Sequence, residues 1–130
     1  MYQASREAIA TSEQFMRALL ILRDKSLPDS HLAMLRAQCR AEKSTITATQ
    51  LAAAAKYDNY HAANLQYGTL AFNLSSVLGF LPALKHAIGS PCWWTALSYA
   101  DEEQAEQGTG HFQFIMRPEL VQALREMRWA

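Results

Sequence analysis

Residues 47–80, TATQLAAAAKYDNYHAANLQYGTLAFNLSSVLGF, constrain the fold more than any other stretch. They hold two apolar repeats of helical period with a short polar and aromatic break between them. Thr47, with Gln50 three residues on, forms a capping box for a first helix over 48–56. That helix is short and small-sided. Leu51 and Ala55 share a face, and the alanines let a neighbouring helix approach closely. Asp58 and Asn59 favour a turn and a fresh cap. A longer helix is predicted from Tyr60 to Phe80, with Ala63, Tyr67, Leu70, Leu74, Val77 and Leu78 on its main apolar face. Gln66, Thr69, Asn73 and Ser76 line the opposite face. Leu65 and Phe72 form a minor apolar stripe beside Gly68, so cover on more than one side is expected, from this chain or from a partner. A short helix, a tight turn and a longer helix make a helix-turn-helix unit.

The flanking segments are read against that unit. Thr11 and Gln14 form a second capping box before Phe15, Met16, Leu19 and Leu22, and Pro28 stops the helix. Asp29 or Ser30 is expected to cap the next helix, where Leu32, Leu35 and Cys39 make one face and Arg36, Arg40 and Lys43 are solvated. Cys92–Ala100 is rich in aromatic and β-favouring residues and reads as a strand. HFQFIMR, His111–Arg117, alternates Phe112, Phe114 and Met116 against Gln113 and Ile115, a half-buried strand. Pro118 opens a last helix at its N1 position, with Leu120, Leu124 and Met127 on one face. The expected fold is α+β and mostly helical: a helix-turn-helix core with a two-stranded β-hairpin and a closing helix, in winged-helix-like order. One domain over 1–130 is expected, with a helical extension at 1–30, the helical core at 31–90, and the hairpin and C-terminal helix at 91–130.

Composition excludes several classes. Half the residues are hydrophobic, which fits a packed globule and not a disordered chain. No run approaches the roughly 18 apolar residues that a membrane span needs. The charged N-terminus has no apolar core of a signal peptide, so a cytoplasmic location is expected. Cys39 and Cys92 lack metal or redox spacing and read as ordinary, partly buried thiols. No nucleophile elbow, phosphate loop or zinc-protease motif occurs, and Cys92 with His86 has no orienting acid. His31, His61, His86 and His111 are scattered without ligand spacing. The expectation is a non-enzymatic protein with no cofactor and no metal.

The first turns of a recognition helix present side chains to the major groove. Asn and Gln can pair with adenine, and His or Lys can reach guanine acceptors or phosphate. Lys56, Asn59, His61, Asn64 and Gln66 are therefore the candidate DNA-binding residues. The same residues also suit a turn, a cap and bonds within the domain. A formal net charge of zero argues against strong nonspecific binding. The loop DEEQAEQGTG counts against a phosphate-tracking wing, since its Asp101, Glu102, Glu103 and Glu106 repel phosphate. It reads either as a solvated hairpin tip or as an acidic surface for a basic protein partner. The alternative function is thus a protein–protein interaction module, such as a small inhibitor or adaptor of a nucleic-acid-handling complex. A homodimer is also expected, because Leu65, Phe72, Trp93 and Trp94 form an apolar patch that one small domain does not cover.

Two strings, Thr47–Gly68 and FQFIMRPELVQALREMRW, Phe112–Trp129, together resemble a domain of bacterial proteins tied to modification-dependent HNH restriction systems, where a similar block precedes the nuclease. The likeness covers roughly residues 31–129. It rests on the L-A-x-x-x-x-Y-x-N-Y-x-x-A-N-L-Q-Y-G pattern and the closing R-P-E-L-x-x-A-L helix. The resemblance implies a DNA-facing specificity or accessory module in defence against foreign or modified DNA. The chain has no HNH metal site and no zinc-binding cysteine pairs, so the nuclease activity does not carry over.

Overall fold

The computed structural model describes residues 6–83, 85–86, 89–100 and 110–130. Helix α1, Ser12–Ser26, begins at the expected capping box: Gln14 N donates to Thr11 Oγ1 at 3.1 Å and Thr11 N donates to Gln14 Oε1 at 2.8 Å. Helix α2, Asp29–Arg40, starts differently from the sequence expectation. Pro28 holds the cap position, and neither Asp29 nor Ser30 caps the helix by its side chain. Both residues lie inside its first turn, and Ser30 Oγ accepts instead from the Tyr57 hydroxyl at 2.9 Å.

A strand follows that the sequence reading missed, β1 at Thr45–Thr47. Three residues with a single buried side chain, Ile46, leave no alternation to read. Helix α3, Ala48–Ala55, has the predicted Thr47–Gln50 capping box. Helix α4, Tyr60–Leu78, stops before Phe80 because Gly79 takes the left-handed C-cap at φ 74°.

Cys92–Ala100 is not one strand. Trp93–Ala96 forms a 3₁₀ turn and only Ser98–Tyr99, β2, is extended. Trp94, Thr95, Ala96 and Leu97 are buried in succession, which a strand with alternating faces does not allow. The turn is tied by Thr95 Oγ1 donating to Cys92 O at 2.7 Å. Trp94 is a core residue rather than part of an exposed patch; its ring meets Phe112 and Phe114 edge-on at 5.5 and 5.3 Å. Strand β3, Gln113–Met116, has the predicted alternation, and helix α5, Pro118–Glu126, buries Leu120, Ala123 and Leu124.

Among the described residues the sheet has three strands, not the two expected. Its order is β1-β3-β2, antiparallel throughout, with Ile46 opposite Phe114 and Ser98 opposite Met116. The fold is α+β and mostly helical. One contiguous core runs from Phe15 of α1 through Leu51 of α3 and Leu70 of α4 to Phe114 and Leu124. Helix α4 packs against α1, α3 and the 93–96 turn. Cys39 and Cys92 are both fully buried, more deeply than expected.

Two buried polar clusters lock this arrangement. The Tyr67 hydroxyl donates to Gln38 Oε1 at 2.6 Å, Gln38 Nε2 donates to Ser98 Oγ at 2.9 Å, and Ser98 Oγ lies 2.6 Å from the Tyr67 oxygen. Gln38 Nε2 also reaches Phe114 O at 3.1 Å. Helix α2, helix α4 and two strands are thereby joined at one point. Arg117, 3% exposed, donates through Nε to Thr95 O at 2.8 Å and through a terminal nitrogen to Glu7 O at 2.9 Å. Its burial is affordable because backbone carbonyls satisfy the guanidinium. Among the described residues, no helix is long and apolar enough to cross a membrane.

Candidate nucleic-acid interface

The turn between α3 and α4 is built by backbone conformation first. Lys56 is the left-handed C-cap of α3 at φ 63° and ψ 38°, and its N–H returns to Ala52 O. Tyr57 N also donates to Ala52 O, at 2.9 Å, which closes the end of the helix. Asn59 is extended, and its Oδ1 accepts from Ala62 N at 3.0 Å. That oxygen is the N-cap of α4, so the side chain is held along the helix end.

The five sequence-predicted readers divide between two environments. Lys56 and His61 are exposed, and Asn64 is half-buried. The His61 ring lies against Tyr60, with centroids 4.1 Å apart and planes tilted by 32°. Gln66 turns inward, where its Oε1 accepts from His31 Nε2 at 2.8 Å and links α4 to α2. The structure therefore brings Lys56, His61 and Asn64 to the outer side of the turn and engages Asn59 and Gln66 in the fold.

A further contact brings the sheet to the same place. Gly110, at φ 79°, leads into β3, and a Cβ there would lie 2.9 Å from the Tyr60 ring. Only glycine allows both that conformation and that approach. Gly110 O accepts from Thr49 Oγ1 at 2.8 Å and from Thr49 N at 3.3 Å. The arm entering β3 is thus clasped by the first turn of α3 and the first residue of α4. Sequence reasoning missed Thr49 and Gly110; the only signal was the glycine that ends the acidic loop. Asp101, Glu102, Glu103 and Glu106 lie outside the described residues.

The electrostatics around α4 are weak. Residues 59–84 contain no Asp, Glu, Lys or Arg, and Lys56 is the one Lys or Arg between Lys43 and Lys85. The outer face of α4 carries Leu65 at 69% exposure and Phe72 at 46%. Trp93 stands edge-on to Phe72 at 4.8 Å. Elsewhere, a groove of about 580 Å³ runs along the sheet between Lys43, Thr45, Gln50, Tyr99 and Ile115. The Arg6 guanidinium lies 5.5 Å over the Tyr99 ring. Burial pushes the Cys92 thiol above its ordinary range, away from the thiolate that nucleophilic chemistry needs. Among the described residues, no group of three His, Cys, Asp or Glu side chains could hold a metal ion. Comparison with protein families, with curated proteins and with solved structures finds no match for the chain.

Proposed function

We propose that this chain is a non-enzymatic DNA-targeting module of winged-helix type, with the first turns of α4 at the duplex. One observation carries the reading. The order α2, β1, α3, turn, α4, β2, β3 has the sheet order β1-β3-β2, and its β3 arm is clasped beside the start of α4 through Gly110. That order suits a helix-turn-helix with a supporting wing.

In this reading Lys56 neutralises a phosphate, His61 meets phosphate or a guanine acceptor, and Asn64 pairs with adenine. Asn59 and Gln66 position the helix rather than read bases. The resemblance carried by Thr47–Gly68 and Phe112–Trp129 supports a place in cytoplasmic bacterial defence against foreign or modified DNA. The test is an anisotropy titration of modified and unmodified duplexes between about 50 and 200 mM salt. Lys56→Ala is expected to weaken every duplex alike, and Asn64→Ala to cost about 1–3 kcal/mol in a sequence-dependent way. No affinity for any duplex at about 50 mM salt would overturn the reading.

A second reading has its own observation, the charge-free outer face of α4 with Leu65 and Phe72 exposed. It supports a protein–protein interaction module, such as an inhibitor or adaptor of a nucleic-acid-handling complex. A stoichiometric protein partner, released when Asp101, Glu102, Glu103 and Glu106 are neutralised, with no DNA binding, would favour it over the first.

A further inference from the structure

The middle of α4 carries a glycine that packing among the described residues does not explain. Gly68 lies inside a helix of 19 residues, where glycine is the poorest residue short of proline. A Cβ at Gly68 would meet nothing within 4 Å. No described neighbour needs the space. The residue sits on the outer face between Leu65 and Phe72, the two large apolar side chains of α4 that face outward.

Two polar side chains of that face are already bonded within the helix. Thr69 Oγ1 donates to Leu65 O and Ser76 Oγ donates to Phe72 O, each at 3.0 Å. Both hydroxyls are therefore satisfied by their own helix and lose little when water is removed. The stripe carries no charge, since none occurs from residue 59 to residue 84. A two-fold pairing sets the stripe against the same stripe of a second copy, so a stripe with charge of one sign would repel itself and this one does not. Leu65 and Phe72 lie three and four residues to either side of Gly68, nearly symmetric about it.

We infer that the chain forms a two-fold dimer in which α4 packs antiparallel on α4 of a second copy, with Gly68 at the closest approach. Leu65 then seats against Phe72 of the partner subunit, and Trp93 flanks the contact through its edge-on packing on Phe72. The absent side chain at Gly68 lets the two backbones come together, which gives the glycine its use. This contact lies along the middle of α4 and does not depend on DNA binding by its first turn.

Sedimentation equilibrium of the full chain without DNA tests the inference. The mass is expected to rise with concentration to twice the monomer value. Gly68→Leu is expected to weaken dimerisation by about tenfold or more while raising the monomer's melting temperature, because leucine is the better helix former. A glycine with no role at an interface would give the higher melting temperature with no change in mass. Leu65→Asp is expected to give a monomer of wild-type melting temperature, as the side chain is mostly exposed. Should that variant melt early, the Gly68→Leu result decides alone. A monomer at every concentration up to about 100 µM overturns the inference. So does a dimer that survives both substitutions, or a monomer that binds a different protein through Leu65. Loss of DNA binding in Lys56→Ala leaves these masses unchanged, so the two readings fail separately.

Discussion

Each face of α4 carries residues that a surface helix usually places on the other. The inner face buries the hydroxyls of Tyr67 and Ser75, and the outer face presents Leu65 and Phe72 to solvent. Inside, each hydroxyl has a stated partner: Tyr67 in the Gln38–Ser98 cluster, Ser75 on Ala71 O at 2.7 Å. Outside, no described residue covers Leu65. The contrast shows what holds α4 and what α4 offers. Its place is fixed by apolar contact and by a polar lock that tolerates one geometry. Its free face has no charge, and the hydroxyls of Thr69 and Ser76 there are bonded to their own helix.

The largest expected effect breaks the comparison between the faces directly. Leu70 is fully buried against the core, so Leu70→Ala should lose about 2–5 kcal/mol of stability. Leu65→Ala, measured in dilute protein, should change stability by no more than about 0.5 kcal/mol. Chemical denaturation of both variants checks the pair. Equal losses would mean that Leu65 is covered within the monomer.

The polar lock should matter next. Tyr67→Phe removes the donor to Gln38 Oε1 and leaves that oxygen buried without its partner, at a cost of about 1–3 kcal/mol. Burial also pushes the Tyr67 hydroxyl well above its ordinary value, with desolvation outweighing the Ser98 and Gln38 bonds and the nearby Arg117 charge that oppose it. The folded protein therefore keeps this proton where the unfolded chain releases it, above about pH 10. Stability linked to Tyr67 is fully present below that pH and falls above it, by up to about 1.4 kcal/mol per pH unit. Wild type should lose stability more steeply than Tyr67→Phe between about pH 10 and 11. Parallel curves would place the hydroxyl in contact with water.

Much of this was legible in the sequence, for identifiable reasons. Both Thr–Gln capping boxes and the Asn59 cap are local signals and form as read. Leu51, Leu70 and Leu74 follow the helical period and are fully buried. Phe112, Phe114 and Met116 follow the strand period and are buried too. The misreadings need partners distant in sequence. Gln66 reads as a polar surface residue until His31, 35 positions away, takes its oxygen. Tyr67 reads as an apolar-face ring, and the partners of its hydroxyl, Gln38 and Ser98, lie 29 and 31 positions away. Strand β1 exists because β3 pairs with it across about half the chain, and Trp94 is core because Phe112 and Phe114 receive it. The outer stripe of α4 was visible as Leu65 and Phe72 beside Gly68; the open space over the glycine was not.

A smaller effect sharpens the division among the five candidate readers. Asn59→Ala removes the oxygen that caps α4 and should cost about 1 kcal/mol. Asn59→Asp keeps the acceptor and should hold stability near wild type. If Asn59 is a cap and not a reader, the Asp variant should also bind each duplex with unchanged sequence preference. A changed preference with wild-type stability would return Asn59 to the readers.

The last effect is the smallest in stability and concerns Lys56. A side chain at φ 63° crowds its own backbone, and glycine takes that conformation without strain. Lys56→Gly should therefore stabilise the fold by about 0.5–1 kcal/mol, since the cap needs only the backbone N–H to Ala52 O. Retaining lysine where glycine fits better makes sense if the amine serves a partner. The same substitution removes the one Lys or Arg between Lys43 and Lys85, so DNA affinity should fall alike for all duplexes, with a salt dependence shallower by about one phosphate. Thermal melting and a salt-dependent titration of one variant thus test both halves together. A more stable protein with weaker, sequence-independent loss of binding assigns Lys56 to phosphate contact. A more stable protein with unchanged binding removes the turn from the interface and leaves α4 with its apolar face as the surface to explain.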